Sequence, residues 1–365
     1  MSSPHPARRT SVRQAPSGRT VSVLALVVLL ALFTTGCGEA ELRSSEADPE
    51  SVLSLESAPS GAEGTERPPP PDSRSLQVMD DQGQNVHLEG PARRVVSIIP
   101  SMTELVVALD AREALVARTR YDRDPSLAYL PSLGGTIRPN LEAIADLHPD
   151  LVIAWSDEEH SPLSRRLRDM GIPVYHASVQ RIEDIHRHAQ RLGHLLGRDA
   201  EATGFLSDLE ARLTAVRETP HPGTPPTVLY IVWHDPPQTA GPGTFLDEII
   251  EIAGGRNVFH DARSSWPQIS MEEIVRRDPD VVVAATRHDG EPDDGGWLRR
   301  PGWQELTAVQ GGRTLAVNAD LFNRPGPGVA EAAEILHQYL AGVTEARAGG
   351  SELDEANRTE PGTVP

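Results

Sequence analysis

A 14-residue module occurs twice in this chain, and that repeat constrains the fold more than any other feature. Residues 141–154 read LEAIADLHPDLVIA and residues 271–284 read MEEIVRRDPDVVVA, an ungapped match at an offset of 130. Six of the 14 positions are identical: Glu142/Glu272, Ile144/Ile274, Pro149/Pro279, Asp150/Asp280, Val152/Val282 and Ala154/Ala284. Each copy predicts a short helix opened by a capping residue, Asn140 or Ser270. A Pro-Asp turn then leads into an apolar run of strand type. Two copies of one supersecondary unit predict two lobes of similar build rather than a repeat array.

The rest of the chain supports that division. Val95–Ile99, Leu151–Trp155, Pro173–Tyr175, Val228–Trp233 and Val281–Ala284 are buried-strand runs separated by helical patterns. Such alternation predicts βαβ units and a mainly parallel sheet, hence an α/β fold. From Arg181 to Val216 there is no proline, and Ile185, Ala189, Leu192, Leu195, Leu196, Phe205, Leu209 and Leu213 recur at helical spacing. Glycines 193, 197 and 204 weaken that helix, with a break admitted near 197–200. We expect two Rossmann-like lobes joined by a long helix.

The N-terminus reads as an export signal. Residues 1–20 hold Arg8, Arg9, Arg13 and Arg19 and no acid, and residues 21–33 are an uncharged apolar run. Thr34, Thr35 and Gly36 then precede Cys37, the one cysteine of the chain. A basic start, a short apolar stretch and small residues describe a secretory signal peptide. The run is short for a transmembrane helix. Cys37 in that place resembles the lipidated cysteine of bacterial lipoproteins, although Thr34 stands where that motif prefers Leu. The polar, acidic stretch up to Pro68–Pro71 reads as a tether.

The expected organisation is therefore a signal peptide over 1–36 and a tether over 37–75. An N-terminal α/β lobe over 76–180, a connecting helix over 181–218 and a C-terminal α/β lobe over 219–345 follow. A disordered tail is expected over 346–365. A net charge of -19 excludes nucleic acid as partner, because like charges repel. No Gly-x-Ser-x-Gly elbow, P-loop or His/Cys metal spacing is present, so neither an enzyme nor a dedicated metal site is expected.

Three segments carry a more specific resemblance: NLEAIADLHPDLVIAW (140–155), GGRNVFHDARSSWPQISMEEIV (254–275) and ADLFNRPGPG (319–328). With IIPSMTELVVAL (98–109), they make residues 93–342 similar to the helical-backbone substrate-binding proteins of ABC importers. Trp-Pro-Gln followed by Ser and Glu resembles the cobalamin-binding branch most. The resemblance implies a receptor that captures a corrinoid outside the cytoplasm and delivers it to a permease dimer driven by ATPase subunits. It implies ligand contacts from Tyr121, Trp155, Trp266, Asp320 and Arg324. It implies that Glu142 and Glu272 meet arginines of the two permease subunits.

Two positions depart from that pattern. Thr136 stands where relatives carry tryptophan, and Gln238 where they carry phenylalanine. A ferric-siderophore or haem receptor on the same fold is the alternative, kept open by Tyr121 and His234. A lipoprotein adhesion or signalling module is the alternative of another class. Aromatic faces and a few polar groups at strand ends suit a large, flat ligand edged with amides.

Overall fold

The computed structural model describes residues 75–137, 139–157, 161–285 and 296–359. The signal segment, Cys37 and the tether lie outside these residues. The N-terminal lobe opens with an antiparallel hairpin of β1 (Leu76–Met79) and β2 (Asn85–Leu88). β3 (Val95–Ser97), α1 (Pro100–Ala108), α2 (Leu141–Asp146), β4 (Leu151–Trp155), α3 (Ser161–Asp169) and β5 (Val174–Ala177) follow. The three strands are parallel, in the order β3-β4-β5. They are buried almost throughout because both faces are covered, as parallel sheets require.

Next come α4 (Ile182–Leu196) and α5 (Asp199–Arg217). The C-terminal lobe contains β6 (Thr227–His234), β7 (Pro237–Thr239), α6 (Phe245–Ile252), β8 (Arg256–Asn257), α7 (Met271–Arg277) and β9 (Val281–Ala285). It closes with α8 (Thr307–Gln310), β10 (Thr314–Val317), α9 (Ala319–Phe322) and α10 (Val329–Thr359). Its sheet runs β10-β9-β6, parallel, and β6 also pairs with β8 and, antiparallel, with β7. β6 shows how both faces are used. Val228 and Tyr230 belong to the main core, whereas Leu229 and Ile231 belong to a second core with Phe259, Ile274, Trp297 and Trp303.

The duplicated module folds twice in the same way. Asn140 Oδ1 accepts from Ala143 N–H at 3.1 Å, and Ser270 Oγ accepts from Glu273 N–H at 3.2 Å. These caps satisfy free amides in the first turns of α2 and α7. The residues before the two Pro-Asp turns, His148 and Asp278, share a left-handed backbone with φ of 46° and 38°. The aspartates then perform one task. Asp150 accepts from Arg93 N–H and Arg94 N–H at 2.8 and 3.0 Å, pinning the entry to β3. Asp280 accepts from Thr227 N–H at 2.8 Å, pinning the entry to β6.

The connection between the lobes breaks where the sequence admits it, near 197–200, and so corrects the single long helix. It is a pair of helices, not one long helix. Gly197 ends α4 in a left-handed conformation with φ of 66°, and Arg198 N–H bonds back to Gly193 O at 2.7 Å. Gly193 also permits close approach of α5, since a Cβ there would lie 2.6 Å from the Ala202 Cβ. α4 packs on β1 and α5, while α5 reaches α6 and α10 of the second lobe. The end of the chain differs as well. α10 continues to Thr359, so helix occupies much of the expected tail, and residues 360–365 lie outside the described set.

Candidate functional site

Parallel strands aim their carboxyl ends at the place where an open α/β sheet holds a ligand. In the first lobe, Trp155 is the last residue of β4, half-buried against the main core. Tyr121 lies in the loop after β3 and α1, half-buried, with the Arg120 guanidinium 5.2 Å from its ring centre. In the second lobe, Trp266 is half-buried, with its ring 6.2 Å from Phe245. Its indole N–H donates to Gln180 Oε1 at 3.4 Å, so it reaches the end of the first lobe.

Asp320 and Arg324 sit on and just after α9, and they tie the two lobes together. Arg324 donates to Asp320 Oδ1 at 2.6 Å, to the Tyr121 carbonyl at 2.7 Å and to Glu104 Oε1 at 2.5 Å. Arg123 approaches the other Asp320 oxygen at 3.3 Å. The nearby Gly326 leaves room for Ser101 at the start of α1, where a Cβ would come within 3.1 Å. Three of the expected site residues, Tyr121, Asp320 and Arg324, are thus brought into direct contact across the lobes.

Glu104 is not among the residues that the sequence singles out. Its one signal there is a lone carboxylate in the run IIPSMTELVVAL (98–109). Burial pushes its carboxyl above the ordinary range, and Arg324 offsets this only in part. The cluster therefore holds Arg324 rigidly, as a planar donor with three acceptors.

Glu142 and Glu272 are exposed at the second positions of α2 and α7. Among the described residues neither enters an ion pair. The neighbouring Glu273 instead binds Arg276 and Arg277. Of the two departures, Thr136 is half-buried in the loop before α2, and Gln238 lies on β7. Trp233, on the strand expected to be buried, is exposed.

A cavity of about 440 Å³ lies elsewhere, between α4, α5 and α6. Glu183, Glu210, Glu248 and Glu251 line it with His186 and Arg217. It contains none of the strand-end aromatics, so the interlobe set, not this cavity, is the candidate site.

Comparison with known proteins supports the two-lobe fold. The profile of the family described as Periplasmic binding protein matches residues 95–321. The Vitamin B12-binding protein of Vibrio cholerae serotype O1 is 29% identical over 251 residues, covering 68% of this chain and 90% of the relative. That of Yersinia pestis (strain Pestoides F) is 29% identical over 257 residues, covering 69% and 88%. The crystal structure of the periplasmic vitamin B12 binding protein of Vibrio cholerae is 28% identical with a TM-score of 0.59, covering 69% of this chain and 98% of that one. The periplasmic haem-binding protein of Vibrio cholerae has a TM-score of 0.62 at 22% identity, covering 68% and 98%, a likeness of fold.

Proposed function

Because the chain belongs to the periplasmic binding protein family, we propose that it is a lipid-anchored receptor that captures a corrinoid such as cobalamin between its lobes. A solute-binding component of an ABC importer, working outside the cytoplasm with a permease, is the coarser statement. The finer one rests chiefly on the interlobe set. Trp155, at the end of β4, and Trp266 offer aromatic faces, and the interlobe cluster of Arg324, Asp320 and Tyr121 offers polar groups. A corrin ring with amide-bearing edges matches both kinds of contact. Capture and release of such a ligand need no covalent step by the chain.

Titration of the full-length protein with cyanocobalamin tests the ligand, read by tryptophan fluorescence. We expect saturable quenching, because a bound corrin lies near Trp155 and Trp266. No quenching by cobalamin, with binding of haem instead, would overturn the corrinoid. That second reading has its own support: Arg120 lies over the Tyr121 ring, Arg324 donates to the Tyr121 carbonyl, and Arg123 pairs with Asp320. These guanidinium groups suit carboxylates of haem or an anionic ferric siderophore.

The anchor is tested separately. Metabolic labelling with a palmitate analogue should mark the wild type and leave Cys37→Ser unmarked. Equal label on both proteins, or none on either, removes lipidation at Cys37.

A further inference from the structure

Trp233 is 58% exposed, whereas the rest of β6 is buried or half-buried. Its place follows from backbone pairing. Trp233 pairs with Gln238 across the β6–β7 hairpin, and Gln238 pairs in turn with Gln268. Thr239 N–H to Pro267 O at 3.2 Å and Ile269 N–H to Pro237 O at 2.9 Å flank the second pair. Gly241 N–H to Ser265 O at 2.8 Å continues the ladder and sets Ala240 opposite Trp266. Directly paired residues share a face, as do residues two apart. Trp233, Gln238, Gln268 and Trp266 therefore line one face, and its Trp266 end meets Gln180 of the first lobe.

The Trp233 ring is also held in place. Its indole N–H donates to Asp235 O at 2.7 Å, within its own hairpin. His234 stacks beside it with ring centres 5.8 Å apart, and stacks again on Trp297 at 5.5 Å. Trp297 meets Trp303 edge-on at 4.6 Å, and both of these are buried. A braced ring with its polar atom satisfied presents apolar area with little entropy left to lose on binding.

Building on the corrinoid reading, we infer that Trp233 is a further ligand-contact residue, offering its ring to the flat macrocycle. It stands directly across the β6–β7 hairpin from Gln238. Paired side chains start roughly 5 Å apart, a gap that an indole spans.

The test compares full-length wild type, Trp233→Ala and Trp233→Phe, each titrated with cyanocobalamin and with haem. Whichever compound the wild type binds is the one on which the variants are judged. Trp233→Ala should weaken binding roughly ten- to hundredfold, the loss of one buried aromatic face. Trp233→Phe should stay within about threefold, since a ring remains. Equal affinity of Trp233→Ala and wild type overturns the assignment and leaves the corrinoid reading standing. Wild type that binds haem and not cobalamin overturns the corrinoid instead, and Trp233 then stands or falls on the haem affinities. Binding of neither compound overturns both. Unchanged binding with abolished uptake in cells makes Trp233 a permease contact and also overturns the assignment.

Discussion

Replacing both Glu142 and Glu272 by alanine should abolish uptake while leaving ligand affinity unchanged. The two side chains occupy the same position of the duplicated module, exposed in the first turns of α2 and α7. Neither takes part in the local arginine pairing that occupies Glu273. A receptor that docks on a two-subunit permease needs one such group per lobe, and arginine is the natural complement to a carboxylate. Truncating one member of a buried interfacial charge pair costs about 2–5 kcal/mol, so losing two weakens docking by roughly a thousandfold or more. The fold should hardly notice. A carboxylate in the first helical turn contributes about 0.3–1 kcal/mol through the helix dipole, and the caps from Asn140 and Ser270 remain. Glu273→Ala serves as control, with uptake expected at the wild-type level. Cell uptake of labelled ligand and titration of purified protein check the two halves. Wild-type uptake in the double variant would remove the docking role.

The duplicated module is legible in the sequence because its signals are local. A cap, a helix and a Pro-Asp turn lie within one short segment, and the structure repeats them in both lobes. What the module is tied to is not legible there. Asp150 holds the amides of Arg93 and Arg94, 57 and 56 residues away, and Asp280 holds Thr227, 53 residues away. The same kind of separation hides the lobe clamp: Glu104 and Arg324 are 220 residues apart. Periodicity marks 181–218 as helical and its glycines admit a break near 197–200, but only the structure shows the left-handed turn at Gly197 that divides the segment. Trp233 misleads for another reason. It ends an apolar strand, yet it lies beyond a register shift in the β6–β7 pairing, and Trp297 and Trp303 fill the core beneath it.

Replacing Asp80 by alanine should destabilise the first lobe by about 3–5 kcal/mol, because several buried donors lose their acceptor at about 1–3 kcal/mol each. The Asp80 and His176 side chains are both 0% exposed, and Nδ1 of the ring lies 2.6 Å from the carboxylate. The same carboxylate accepts from Gln82 N–H at 2.9 Å, Gln84 N–H at 2.8 Å and His176 N–H at 3.2 Å. One carboxylate thus closes the β1–β2 turn and fastens the hairpin to β5. Alanine would strand these donors where water cannot replace the acceptor. Asp80→Asn keeps an oxygen for the turn amides and should cost about 1–3 kcal/mol. Acid should act along the same line. Burial alone would raise the Asp80 carboxyl, but hydrogen bonds from the His176 side chain and from the Gln84 and His176 amides outweigh it and hold it below the ordinary value. Asp81 is lowered further, with His188, Arg187 and Ser178 N–H overcoming burial. A carboxylate depressed by folding stabilises above its unfolded value near 4, and that contribution disappears as pH falls through the folded value. Urea melts from pH 7 to pH 3 should show wild type losing stability below about pH 4. Asp80→Ala should start lower and fall less steeply. A variant within about 1 kcal/mol of wild type at pH 7, well under the expected cost, would mean that the hairpin is held by its apolar contacts alone, through Leu76, Val86 and Leu88.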